Sequence, residues 1–99
     1  MFTGLVHSTG QVIELSPRPQ GALRLTVQSP LFTAARPGDS IAHNGCCLTV
    51  TDPVGDRASF DLLAETLRLT NLGDLKVGDR VNLEIDMLAR YLARWQETA

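Results

Sequence analysis

Apolar and polar residues alternate along much of this chain in short runs that glycine and proline interrupt. The clearest run is "ALRLTVQS", in which Leu23, Leu25 and Val27 alternate with Arg24, Thr26 and Gln28, the pattern of a strand with one buried face. "TGLVHST", "GQVIELS", "SIAHNG", "CCLTVTD", "ASFDLL" and "RVNLEI" read as further strands. Between them, "SPRPQG" (Ser16 to Gly21) is a loop by composition, and "PVGDR" and "KVGD" are turns. "PLFTAARPGD" holds one helical turn around Leu31 to Ala35, stopped by Pro37 and Gly38. "AETLRLTNLGDL" reads as a helical turn followed by a loop. Many short strands joined by such turns predict an all-β sandwich or barrel, and closure removes the edges that invite aggregation. Gly-Asp precedes a strand twice, at Gly38-Asp39 and Gly78-Asp79; the repetition reads as shared turn chemistry and not as an internal repeat.

The pattern changes at the end. In "IDMLARYLARWQETA", Ile85, Leu88, Leu92 and Trp95 fall at spacings of three, four and three, with Arg90, Arg94 and Glu97 off the seam. This predicts a helix over residues 86–99, following a barrel over 1–85. A helix of about 14 residues is marginal alone in water, so its stripe is buried on its own barrel or on copies of itself. Periodicity alone does not choose between the two.

Composition adds limits. The 99 residues suffice for one domain. Hydrophobic residues make up 43% and the net charge is −2 with both signs mixed, so no basic footprint for nucleic acid or an anionic membrane is present. "MFTGLV" lacks the basic and long apolar regions of a signal peptide, and no apolar run approaches the roughly 18 residues of a membrane span. The expectation is a cytoplasmic protein. Cys46 and Cys47 are adjacent, so on a strand their thiols point to opposite faces and an ordinary disulfide between them is disfavoured. With only His7 and His43 beside them and no C-x-x-C spacing, no metal site is expected.

Candidate chemistry concentrates in "GDSIAHNGCCLTV", Gly38 to Val50. A strand starting at Cys46 puts Cys46, Leu48 and Val50 on one face and Cys47, Thr49 and Thr51 on the other. The first set is a core face, on which Cys46 acts as a small hydrophobe. The second is a polar stripe whose thiol could meet a ligand or could be a half-exposed strand residue. His43 is either a proton carrier or a residue bonded to backbone in the "HNG" turn, the commoner case. Glu65 and Thr66 are either a ligand-binding pair or a carboxylate and hydroxyl at a helix start.

Three motifs in order, "MFTGLV", "GDSIAHNGCCLTVT" and "FDLLAETLRLTNLGDLKVGDRVNLE", resemble the lumazine-binding barrel of riboflavin synthase, its amino-terminal barrel above all. The resemblance runs through most of residues 1–84. That family carries two barrels in tandem, whereas this chain has one. "VNLEIDMLARYLARW" resembles the end of the second barrel, whose helix holds the family's trimer together. The resemblance therefore implies a six-stranded antiparallel Greek-key closed barrel with a C-terminal oligomerisation helix, a trimer being favoured over a dimer. It implies a bound 6,7-dimethyl-8-ribityllumazine, riboflavin or FMN, with no cofactor required.

Carried over by position, Ser40 and Cys47 match a polar pair near the reacting ring; in the enzyme case either would assist addition at the ring carbon, with His43 as a proton shuttle. Thr49 matches a backbone and hydroxyl contact to the heterocycle. Leu5 and Val6 match apolar wall positions, and Glu65 and Thr66 match contacts to the ribityl chain or pyrimidine edge. Gly45 would let the ring approach the backbone. Gly4, Leu48 and Ala64 complete the implied ligand-binding set. Two functions follow from the resemblance. One is a flavin- or lumazine-binding module. The other is a homo-oligomeric riboflavin synthase that moves a four-carbon unit between two lumazines, giving riboflavin and a pyrimidinedione. The enzyme needs two ligands held face to face. Because half of the usual site is absent, binding is the preferred expectation.

Overall fold

The computed structural model describes residues 8–85. Within them β1 (Ser8–Pro17), β2 (Leu23–Gln28), β3 (Ser40–His43), β4 (Cys46–Thr49), β5 (Arg57–Leu62) and β6 (Arg80–Ile85) pair antiparallel in the order β4-β3-β6-β1-β2-β5. The result is a nearly closed Greek-key barrel. One helix, α1 (Ala64–Leu69), follows β5, and short 3-10 helices occupy Pro30–Ala34 and Asn71–Asp74. The proposed helix over 86–99, and with it Leu88, Leu92 and Trp95, lies outside the described residues, as do Gly4, Leu5, Val6 and His7. Ile85 closes β6 with its side chain buried.

The period-2 pattern becomes the barrel wall. Leu25, Val27, Ile41, Leu48, Val50, Phe60, Leu62, Val81 and Leu83 all turn inward into one cluster with Val12 and Phe32. One expectation changes. Gly10 had marked the start of a second strand, yet it sits inside a single β1. The wall is so close there that a Cβ on Gly10 would lie 2.5 Å from Val27 Cγ1 and 2.9 Å from Leu83 Cδ1. Glycine is present for that approach and not for a turn. A register shift between Val12 and Glu14 then bends the strand.

The two Gly-Asp turns match bond for bond. Asp39 Oδ2 accepts from Arg36 N at 3.0 Å and Asp79 Oδ2 from Lys76 N at 2.8 Å. Gly38 N donates to Val50 O and Val50 N to Asp39 O, both at 2.9 Å; Gly78 N donates to Val12 O and Val12 N to Asp79 O, both at 2.8 Å. Ser29 and Thr70 likewise each cap a 3-10 helix through the N–H two residues on. Val12 thus corresponds to Val50, and β1-β2-β3 to β4-β5-β6. Exchanging the halves preserves every strand pairing except β1–β2, whose counterpart β4–β5 forms no ladder, so the shared turn chemistry marks a pseudo-two-fold barrel as well.

The halves differ where each would close. β1 and β2 pair continuously, with Gln11 opposite Gln28 and Val12 opposite Val27. Between β4 and β5 the junction is confined to one end. Thr51 N donates to Ser59 O at 3.0 Å and Thr51 Oγ1 donates to the same carbonyl at 2.9 Å.

Candidate functional site

The open side of that junction is built by the β3-β4 hairpin. Its two-residue turn is Asn44-Gly45, with φ of 49° and 85°, the left-handed pair that Asn-Gly supplies in tight hairpins. Asn44 Oδ1 accepts from Asn82 N at 2.8 Å, tying the turn to β6. In such a hairpin the residues flanking the turn, His43 and Cys46, form a hydrogen-bonded pair, and every second pair onward does the same. Ile41 and Leu48 therefore bond each other, whereas Ala42–Cys47 and Ser40–Thr49 are the non-bonded pairs. The N–H and C=O groups of Cys47 and Thr49 consequently point away from β3, toward β5. Thr51, next in that series, uses the same direction to reach Ser59. Continuing the register sets Thr49 opposite Asp61 and Cys47 opposite Leu63. No backbone hydrogen bond joins β4 to β5 at those positions among the described residues.

Side chains follow the parity expected from sequence. Leu48 and Val50 are buried and Cys46 is half-buried, while Cys47, Thr49 and Thr51 are exposed. Ser40 lies directly across from Thr49 and is half-buried. The site is thus a strand edge with open backbone donors and acceptors, carrying a thiol and two hydroxyls on its outer face. α1 leaves the end of β5 above it and brings Ala64, Glu65 and Thr66. Ala64 and Glu65 are exposed and Thr66 is half-buried. Glu65 is held by Arg68, with Nη2 on Oε1 at 2.5 Å.

Three proposed site residues, Leu48, His43 and Gly45, lie away from that edge. Leu48 sits in the core with its backbone bonded to Ile41, so neither its side chain nor its amide reaches the open edge. His43 is fully buried inside the barrel. Its ring meets Phe60 edge-on at 4.3 Å and Phe32 at 6.4 Å between centroids, and Nδ1 lies 3.1 Å from Ile41 O. Burial lowers its pKa to about 4, the Ile41 bond opposing this in part. The imidazole is therefore a neutral core ring bonded to backbone, on the opposite side of the sheet from Cys47 and Thr49.

Gly45 borders a different hollow, of about 470 Å³, shared with Asn44, Cys46, Thr70 and Asn71 at the barrel mouth. Asp61 was missed by the sequence reading. The alternation of "SFDL" marks it as outward, but its place across from Thr49 depends on how β5 meets β4.

The thiols are chemically distinct. Burial pushes the Cys46 thiol up and the adjacent Cys47 adds to this, whereas Cys47 stands exposed on the outer face. Titration with Ellman's reagent is expected to show one fast and one slow thiol. Cys47→Ser removes the fast phase and Cys46→Ser the slow one; the opposite assignment would reverse the two faces of β4.

Among the described residues there is no cluster of three metal-ligating side chains, and no helix is long and apolar enough to cross a membrane. The chain matches the lumazine-binding domain family over residues 3–86. It is 50% identical over 86 residues to riboflavin synthase of Escherichia coli (strain K12), covering 85% of this chain and 40% of that protein. It is 43% identical over 90 residues to riboflavin synthase of Bacillus subtilis (strain 168), covering 90% and 41%. Among solved structures, LumP complexed with riboflavin superposes with a TM-score of 0.79 at 31% identity, covering 86% of this chain and 46% of that one. LumP complexed with 6,7-dimethyl-8-(1'-D-ribityl) lumazine gives 0.78 at the same identity, and the complex with flavin mononucleotide 0.79. The chain spans less than half the length of these relatives.

Proposed function

This chain belongs to the lumazine-binding domain family, and from that premise we propose that its barrel binds riboflavin, 6,7-dimethyl-8-ribityllumazine or FMN at the open β4 edge. The observation that carries the reading is the pair of unbonded backbone positions at Cys47 and Thr49, with their side chains outward. The edge of a pyrimidinedione ring presents alternating carbonyls and N–H, the complement of a strand edge. It can complete at Thr49 and Cys47 the ladder that β5 leaves unfinished. Ser40 and the Thr49 hydroxyl lie beside that edge, and Ala64, Glu65 and Thr66 stand where a ribityl chain would extend. Gly4, Leu5 and Val6 remain part of the proposed wall by position in the sequence. His43 and Leu48 support the pocket from inside the barrel.

Titrating the protein into riboflavin is expected to quench flavin emission, and unchanged emission would retire the proposal. Thr49→Ala or Glu65→Ala should weaken binding by roughly five- to tenfold, the scale of one hydrogen bond. Cys46→Ser should weaken it less, and the reverse order would refute the assignment of faces.

The identity to riboflavin synthases, together with the retained Ser40 and Cys47, favours a second reading. As a homo-oligomer that brings two such edges face to face, the chain would convert two lumazines to riboflavin and a pyrimidinedione. Incubation with the lumazine while following riboflavin absorbance separates this from binding alone. We take residues 1–85 as the binding barrel and 86–99 as a self-association helix, with a trimer favoured over a dimer. We take the setting to be cytoplasmic, a reducing compartment in which free thiols persist.

A further inference from the structure

We propose that Asp61 makes this site selective for ligands with an uncharged ribityl chain over phosphorylated ones. The inference rests on the binding site proposed above. Asp61 lies on β5 with Phe60 and Leu62 turned into the core on either side, so its carboxylate is on the outer face. The register that joins Thr51 to Ser59 puts it across the open junction from Thr49.

The charged groups that flank the open junction are matched, except this one; Arg57, on the same face of β5, lies at the closed end beyond Ser59. Arg24 is the cross-strand neighbour of Asp61 on β2, but its guanidinium reaches past Asp61 to the Asp52 carboxylate. Beneath that ion pair, Thr26 Oγ1 and Ser59 Oγ bond at 3.0 Å, and Thr51 adds its two bonds to the Ser59 carbonyl. At the other end of the junction, Arg68 holds Glu65 through both carboxylate oxygens. Asp61 has no ion-pair partner among the described residues. The groups flanking the junction therefore leave one net negative charge, and the two cations beside it are engaged. A phosphate seated at the open end meets an unpaired carboxylate, and the two cations nearest it are already held in ion pairs. A ribityl hydroxyl meets an acceptor. Coulomb interaction over about 8 Å in partly solvated surroundings is enough for roughly tenfold discrimination against a dianion, and salt weakens it.

The test is parallel titration of riboflavin and FMN at low and at high ionic strength, with the wild-type chain, Asp61→Asn and Asp61→Glu. Circular dichroism checks that each variant folds. Expected is a dissociation constant for FMN about tenfold above that for riboflavin at low salt. That ratio should shrink several-fold in Asp61→Asn and in high salt, and persist in Asp61→Glu. Equal affinities in the wild type, tighter FMN binding, or a ratio that Asp61→Asn leaves unchanged would each overturn the assignment while leaving the binding site standing. Failure of both ligands to bind would remove the site and this inference together.

Discussion

Phe60→Ala destabilises the barrel by about 3–5 kcal/mol, the usual range for deleting a buried aromatic side chain. Phe60 is completely buried on β5, with its ring tilted 55° against Phe32 at 5.8 Å and meeting His43 at 4.3 Å. The cavity left by alanine would be lined by two rings from different connections, Phe32 from the 3-10 helix Pro30–Ala34 and His43 from β3. Neither can collapse into it without moving its own backbone. Small domains have roughly 5–15 kcal/mol in total, so much of the stability is at stake. Urea unfolding followed by circular dichroism measures the loss. A loss under about 1 kcal/mol would show that the three rings do not pack as one unit.

The second large effect depends on pH. His43 holds a pKa of about 4 in the folded chain, against 6.5 for an ordinary imidazole. Unfolded chains therefore take up a proton as pH falls through 6.5, while the folded barrel refuses it until about 4. The unfolded state binds more protons across that window, so stability is full above it and is lost as pH falls. The total is about 3 kcal/mol, most of it gone by pH 4.5. His43→Phe keeps a ring in the slot and removes the titration. Its unfolding free energy should change by about 2–3 kcal/mol less than the wild type's between pH 7.5 and 4.5. Parallel pH profiles for the two proteins would mean that the imidazole is solvated in the folded state.

The same residue shows where sequence reading ends. "HNG" announces a turn, and Asn44-Gly45 does form it, because positive φ is a local demand that residue type meets directly. Whether His43 titrates at a surface or stays neutral in a core is decided by Phe32 and Phe60, 11 residues before it and 17 after it. The faces of Cys46 to Thr51 were legible since side-chain alternation needs no partner strand. The continuity of β1 was not, because the demand on Gly10 comes from Val27 and Leu83 across the wall. In the same way, Thr49 could be read as outward from "CCLTVT". Its unbonded backbone could not, since that follows from β5 meeting β4 only as far as Thr51 and Ser59. Asp61 falls between the two cases: its face is local, and its neighbour is not.

The pseudo-two-fold arrangement bears on ligand stoichiometry. Two like halves offer two equivalent strand edges, one at Thr49 and the other at Gln11, the residue that precedes Val12 as Thr49 precedes Val50. Gln11 is already engaged with Gln28, so that second berth is filled by the chain itself. Each barrel can then seat a single heterocycle. A saturating titration should end at one equivalent per chain, and an assembly of such chains would carry as many ligands as it has subunits.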